Sequence, residues 1–178
     1  LARGRDHSQG AWAGDIIGIH NHGTIQIGDT FTTGKSMSFR GIPSFAPELF
    51  KRVRSSDPLR GKALLKGLTE LGEEGAAQVF RVTTKNELVI GAVGVLQFDV
   101  VSWRLEHEYN VECVFEPAPY QTTRWISCDD QQMLDKFRSQ LADNIALDGG
   151  NYIAYMAPTM VNLQLTEERW PDVCFYKT

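Results

Sequence analysis

The chain has 178 residues, 42% of them apolar and 22% charged, which is ordinary globular composition. Its net charge is −4 and its pI is about 5.6, so no global positive field attracts it to nucleic acid, and any such contact must be local. The three cysteines are odd in number and none has metal-ligand spacing, which indicates a reducing, cytoplasmic setting. No stretch reaches the roughly 18–20 apolar residues of a membrane span, and the polar residues 1–10 are not a signal peptide.

Residues 14–41 carry short β signals separated by glycine turns. Ile16, Ile17 and Ile19 form a β-branched group, and residues 24–27 alternate between apolar and polar. Four short strands cannot close a barrel, and the chain begins without Met. We therefore expect residues 1–41 to be the C-terminal strands of a β-barrel domain, and the chain to be a fragment of a longer protein.

A different pattern begins near residue 42, where strand and helix signals alternate. Asp57-Pro58 predicts a helix start, and a second helix is predicted at 95–109. The predicted strands are 48–54, 76–82, 87–93 and 111–115. The order β-α-β-β-α-β predicts a ferredoxin-like split β-α-β domain over residues 48–116, with two helices on one face of a four-stranded antiparallel sheet.

The apolar positions of these two helices predict their core-facing sides. The inward residues are Leu64, Leu65, Leu68 and Leu71 in the first helix and Leu96, Val100, Val101 and Leu105 in the second.

Residues 117–178 predict an additional α/β lobe that shares a core with residues 48–116. Helices are expected after Asp129 and Thr159. The predicted strands are 120–128, 151–157 and 173–176. No internal repeat is apparent in the sequence. Residues 42–178 are therefore predicted as one α+β domain.

Residues 28–36, Gly-Asp-Thr-Phe-Thr-Thr-Gly-Lys-Ser, look like a phosphate-binding P-loop. Such a loop needs four residues before its Gly-Lys-Ser, and a following helix, whereas five residues and strand-like flanks occur here. A glycine turn is the preferred interpretation, with a cryptic nucleotidase as an alternative. A metal site at His20 and His22 would need a further clustered ligand, for which Asp15 and Asp29 are the possible candidates, and surface histidines are the preferred interpretation. No nucleophile or carboxylate pair emerges, so we expect neither catalysis nor a resident cofactor or metal.

Basic residues cluster within residues 48–66, a segment in which Glu48 and Asp57 are the only acids. Such a cluster can pair with phosphates, although a solubilising surface is an equal alternative. Trp103, Trp125 and Trp170 could each anchor a partner, although core packing is the favoured interpretation of all three. The candidate contact residues are Lys51, Arg52, Arg54, Arg60, Lys62, Lys66, Arg124 and Trp125.

Several longer stretches carry a specific resemblance. Gly-Asp-Ile and Ile-Gly-Asp-Thr within residues 14–30 resemble the end of the second, β-barrel domain of translational GTPases. The other matching stretches are 39–43, 45–50, 65–68, 73–76, 78–81, 91–101, 146–150 and 157–163. Together they resemble bacterial peptide chain release factor 3, over nearly the whole chain from about residue 12.

The resemblance implies a ribosome-docking part of a GTPase that drives class I release factors from the ribosome after termination. GTP, GDP and Mg²⁺ would bind an N-terminal domain that this chain does not include. The implied partners are ribosomal RNA and small-subunit protein directly and class I release factors indirectly, with no membrane and a monomeric state. Residues 91–96 depart from the Gly-Met-Gly-Glu-Leu-His of elongation factor G, so that factor's roles are not transferred.

Two other classes of protein stay open at this point. One is the corresponding part of another translational GTPase, against which the 120–178 lobe argues. The other is a free-standing ferredoxin-like module that binds RNA or a small ligand, against which the incomplete barrel argues.

Overall fold

The computed structural model describes residues 10–20, 25, 29–37 and 46–177. The strands are β1 Leu49–Ser55, β2 Gln78–Val82, β3 Glu87–Ala92, β4 Cys113–Pro117, β5 Thr122–Ser127, β6 Ile145–Asp148, β7 Ile153–Ala157 and β8 Cys174–Tyr176. The helices are α1 Gly61–Glu73, α2 Leu96–Tyr109, α3 Gln131–Gln140 and α4 Met160–Arg169, with 3-10 turns at Pro58–Arg60 and Ala142–Asn144.

The first half of the described domain has the predicted ferredoxin-like arrangement. Its chain order is β1-α1-β2-β3-α2-β4, and its strands lie in the order β4-β1-β3-β2 with every pair antiparallel. Helices α1 and α2 pack on one face of these strands over a core that includes Leu68, Ile90 and Val101. The α+β fold class with a split β-α-β domain is confirmed.

The second half has the same arrangement, which the sequence did not reveal. Its chain order is β5-α3-β6-β7-α4-β8, and its strands lie in the order β6-β7-β5-β8. The lobe is therefore a second ferredoxin-like repeat. Strand β6 was not predicted, because its four residues follow a 3-10 turn without a glycine or proline boundary.

The two repeats join edge to edge into one eight-stranded sheet. Strand β2 pairs antiparallel with β6, its counterpart in the second repeat, with Phe80 opposite Asp148 and Val82 opposite Ala146. Paired residues of an antiparallel ladder point to the same face. Since Ile145 and Val79 share the face opposite to Phe80, all four helices lie on one side of the sheet.

The sheet curves around a second core on the face without helices. In a flat sheet about 29 Å would separate β4 from β5, whereas the linker Ala118–Gln121 can span roughly 18 Å. Phe80 lies at the centre of the concave face, fully buried, with its ring 6.2 Å from that of Phe50 and 6.0 Å from that of Trp125. The core of this face therefore takes residues from both repeats.

Side-chain caps begin α3, α4 and the 3-10 turn Pro58–Arg60 that leads into α1. Asp57 accepts a hydrogen bond from the Leu59 amide at 2.9 Å, as predicted, and Thr159 accepts one from the Asn162 amide at 3.0 Å. The start of α3 was predicted one residue early, because Asp130 rather than Asp129 caps it.

Two predicted core-facing sets need correction. Leu64, Leu68 and Leu71 are buried in α1, but Leu65 is 44% exposed. In α2 the prediction for Leu96 and Val100 was wrong, since both lie on the outer side, and Phe98 joins Val101 and Leu105 in the core. The sequence was misleading here because α2 carries apolar residues on two opposite faces.

The predicted barrel strands lie partly outside the described residues. Within residues 10–20, 25 and 29–37 no strand is present, and Ile16, Ile17 and Ile19 are exposed. The barrel assignment of residues 1–41 and the boundary near residue 42 stay predictions.

Candidate functional site

The three cations of β1 lie on both faces of the strand, because successive residues of a strand alternate. Lys51 is on the helix side, where its Nζ lies 4.5 Å from the centre of the Phe98 ring. This is a cation–π distance. Arg52 and Arg54 point to the other face. The β1 part of the predicted basic cluster is therefore divided between the two faces of the sheet.

Carboxylates from distant parts of the chain pair with both arginines. Arg54 places Nε and Nη2 each 2.8 Å from Glu116 Oε1. Arg52 lies 3.9 Å from Glu116 and its Nε lies 3.3 Å from Glu87 Oε2, a charge pair without hydrogen-bond geometry. Strands β3 and β4 supply these acids, so a count along residues 48–66 missed them. The positive charge of β1 is largely compensated within the fold.

The start of α1 keeps exposed cations. Arg60 and Lys62, here called the basic tip, are exposed and form no ion pair with another described residue. The neighbouring Leu59 is 91% exposed. Lys66, one turn further, lies 3.7 Å from Glu70, an exposed i, i+4 pair of small energetic value. Of the predicted contact residues, those of the basic tip are the most available to an outside phosphate.

Arg124 and Trp125 are used inside the second repeat. Arg124 is 93% buried, and its Nη1 donates to Thr122 Oγ1 at 2.9 Å and to the Thr123 carbonyl at 2.7 Å. Trp125 Nε1 donates to Asp148 Oδ2 at 2.7 Å. Arg124 lines a groove beside α4, together with Gln164 and Glu167. A ribosome contact by this pair stays a prediction.

The outer side of α2 presents large apolar residues that the sequence assigned to the core. Leu96 is 75%, Val100 52% and Trp103 57% exposed. The ring of His107 stacks on that of Trp103 with centroids 4.3 Å apart, and its Nδ1 lies 2.8 Å from the Trp103 carbonyl oxygen. The spacing i, i+4, i+7 and i+11 of these residues indicates one face of a helix. The buried residues of α2 also have helical spacing, so the sequence did not show which face is exposed.

Charged groups fasten α2 to the end of α1. Arg104 donates from Nε and Nη2 to the two oxygens of Glu108, each at 2.7 Å, and its Nη1 bonds Glu74. The hydrogen bonds from Arg104 lower the pKa of Glu108 below its usual range. Nearby, Gly67 lies so close to Leu105 and Tyr109 that an added Cβ would meet their side chains within 3 Å. The relative position of the two helices is therefore closely constrained.

Tyr109 provides a test of this helix contact. Burial, and then a 2.7 Å hydrogen bond donated to Glu70 Oε2, raise the pKa of Tyr109 to about 12. The folded chain favours the protonated phenol, so its contribution to stability is present below pH about 10 and lost as pH rises towards about 12. We expect the Tyr109→Phe variant to lose less stability than the unmodified chain across this window.

Denaturant unfolding of both proteins across that pH range measures the difference, and tyrosinate absorbance of the folded proteins assigns the titration. Ionisation of Tyr109 near pH 10, the ordinary value for a tyrosine side chain, would contradict the packing described here.

No three His, Cys, Asp or Glu side chains are grouped to hold a metal among the described residues. Residues 29–37 contain neither strand nor helix, and Thr32 donates its hydroxyl to the Lys35 carbonyl at 3.2 Å. Nor does any described helix combine the length and apolar character needed to cross a bilayer.

Residues 49–176 thus form two ferredoxin-like repeats, with exposed cations at one helix start and an apolar side on another helix. Residues 39–167 match the family described as class II release factor RF3, C-terminal domain. The match covers more than half of the chain, and the chain belongs to this family. The resemblance to peptide chain release factor 3 is thereby confirmed, and the chain is a translation release-factor part.

Proposed function

We propose that this chain is the ribosome-docking part of a release factor 3, which stimulates dissociation of class I release factors in a GTP-dependent cycle. Family membership supplies the setting. The observation that carries docking is the basic tip, because Arg60 and Lys62 are exposed and form no ion pair with another described residue.

The basic tip suits contact with RNA phosphates for an electrostatic reason. A cation that already has a carboxylate partner must lose that partner before it binds a phosphate, whereas Arg60 and Lys62 need only release water and counterions. Arg52 and Arg54 are held by Glu116 and contribute less. Ribosomal RNA is therefore the proposed partner of the basic tip, with small-subunit protein beside it.

The remaining roles belong to the same proposal. The chain itself performs no catalysis and holds no cofactor, while GTP, GDP and Mg²⁺ bind the GTPase domain of the full-length family. Class I release factors are affected indirectly, through the ribosome. The setting is the cytoplasm and the working state is a monomer.

Co-sedimentation with 70S ribosomes across a salt series tests this proposal. We expect the double variant Arg60→Glu/Lys62→Glu to bind at least about tenfold more weakly at low salt, because two phosphate contacts become repulsive. The slope of log affinity against log salt should fall by roughly 1.4–1.8, the value for two phosphate contacts.

The matched control reverses the same number of charges on the second repeat. Lys136 and Arg169 are exposed and form no ion pair with another described residue, so Lys136→Glu/Arg169→Glu carries the same net change. Equal losses in both double variants would show that only net charge matters and would reject the basic tip. Absence of sedimentation by the unmodified chain at every salt concentration would reject docking by this part alone.

A further inference from the structure

The outer side of α2 forms a continuous surface that no other described element covers. Residues of a helix advance by about 100° each, so the side chains that share this side form one line along the helix axis. We call them the α2 stripe, and they are Leu96, Val100, Trp103 and His107. Phe98, Val101 and Leu105 are buried on the opposite side.

The α2 stripe is apolar enough to favour burial. Leu96, Val100 and Trp103 are each more than half exposed, and Val93 and Val95 extend the surface at the N-terminal end with 51% and 61% exposure. An exposed tryptophan among aliphatic residues is typical of the centre of a protein interface. Scattered apolar residues need no explanation, but a line of them on one helix side does.

Acidic groups flank the α2 stripe. Asp99 and Glu106 lie along one side, and neither forms an ion pair with another described residue. Along the other side, Arg104 is shared by Glu74 and Glu108, so its positive charge is more than compensated. The border of the α2 stripe is therefore negative, in contrast to the basic tip.

The corresponding helix of the second repeat lacks this arrangement. Helix α4 also exposes Val161 and Leu165 one turn apart, but Gln164 and Glu168 separate Met160 from this pair, and the helix contains no aromatic residue. The α2 stripe is thus a property of the first repeat and not a consequence of the ferredoxin-like fold. Helix α4 consequently provides a matched control.

We propose that the α2 stripe binds a basic protein segment whose apolar residues cover Val100 and Trp103 while its lysines or arginines pair with Asp99 and Glu106. RNA is excluded as the occupant because its phosphates would meet these carboxylates. The proposal rests on the proposed function for its setting, since a ribosome presents phosphates to the basic tip and basic proteins to the α2 stripe.

A peptide experiment tests the α2 stripe without the ribosome. The probe is a fluorescent peptide with leucine and lysine at amphipathic helical spacing, and a second peptide has glutamate in place of each lysine. We expect the unmodified chain to bind the lysine peptide and not the glutamate peptide. The Val100→Ser/Trp103→Ser variant should bind at least about tenfold more weakly, which is the loss expected for an interface anchor.

Two further variants decide the outcome. Val161→Ser/Leu165→Ser on α4 should leave the affinity within about twofold, and Asp99→Lys/Glu106→Lys should reverse the preference between the peptides. Because all these side chains are exposed, thermal melting should be nearly unchanged. Equal losses in the α2 and α4 variants, or binding of both peptides alike, would overturn the proposal.

Sedimentation with 70S ribosomes separates this proposal from docking through the basic tip. If the Val100→Ser/Trp103→Ser variant sediments less with ribosomes and also loses peptide binding, the α2 stripe and ribosome docking are both supported. Normal sedimentation without peptide binding by the unmodified chain rejects the α2 stripe and leaves ribosome docking standing. Peptide binding without any sedimentation keeps the α2 stripe and rejects docking by this chain.

Discussion

The Phe80→Ala variant is expected to lose about 3–5 kcal/mol of unfolding free energy, the usual cost of emptying a fully buried aromatic position. Phe80 is completely buried at the centre of the concave core. Its ring contacts Phe50 of the first repeat and Trp125 of the second, at 6.2 and 6.0 Å between centroids. The substitution therefore removes packing that both repeats need, and neither repeat can refill the space by itself.

Chemical denaturation followed by circular dichroism and by tryptophan fluorescence measures this loss. The control is Leu165→Ala, which shortens an exposed apolar residue on α4 and should change stability by at most about 0.5 kcal/mol. If Phe80→Ala cost no more than the control, the concave core would not join the repeats. Different unfolding transitions by circular dichroism and by tryptophan fluorescence in the variant would show that Phe80 also makes the two repeats unfold cooperatively.

Asp148→Ala is expected to cost about 2–3 kcal/mol, because one carboxylate satisfies three donors. Its Oδ2 accepts from Trp125 Nε1 at 2.7 Å, and its Oδ1 accepts from the amides of Gly150 and Tyr152, both at 2.9 Å. The residue also ends β6 opposite Phe80, at the junction of the repeats. Alanine would leave a half-buried indole N–H without its partner and weaken the β6–β7 hairpin.

Asp148→Asn is the informative comparison for this prediction. Asparagine keeps the size and one oxygen, so it can serve the hairpin amides or Trp125 but not both groups equally well. We expect roughly half of the alanine effect, measured as the denaturation midpoint at constant slope. Identical stability of the alanine and unmodified chains would mean that water replaces all three hydrogen bonds.

The helices and strands of the first repeat could be predicted from the sequence because each carries a strong local signal. The Asp57 cap, the leucines of α1 and the turn before β3 each have a local cause. The second repeat was missed because β6 is only four residues long and its apolar residues directly follow a 3-10 turn. Its identity as a strand depends on pairing with β2, a contact that joins residues far apart in the chain.

The candidate site was less predictable, since charge compensation is a tertiary property. Glu87 and Glu116 approach Arg52 only after β3 and β4 pair around β1. Ribosome contact stays a prediction for Lys51, Lys66, Arg124 and Trp125. In the structure each of these side chains contacts another residue of the chain. The outer side of α2 was misassigned because helical spacing cannot distinguish two apolar faces on the same helix.

The pairing of β2 with β6 also has a consequence during synthesis. A nascent chain that has completed residue 117 contains all of the first repeat. Its β2 edge stays unpaired until Ile145–Asp148, which form β6, have been synthesised. At synthesis rates of roughly 5–20 residues per second, this interval lasts a few seconds. Throughout it, β2 presents unpaired backbone groups beside the incompletely covered Phe80. Other strands could pair there, so aggregation of truncated chains should be most pronounced when they end between β4 and β6.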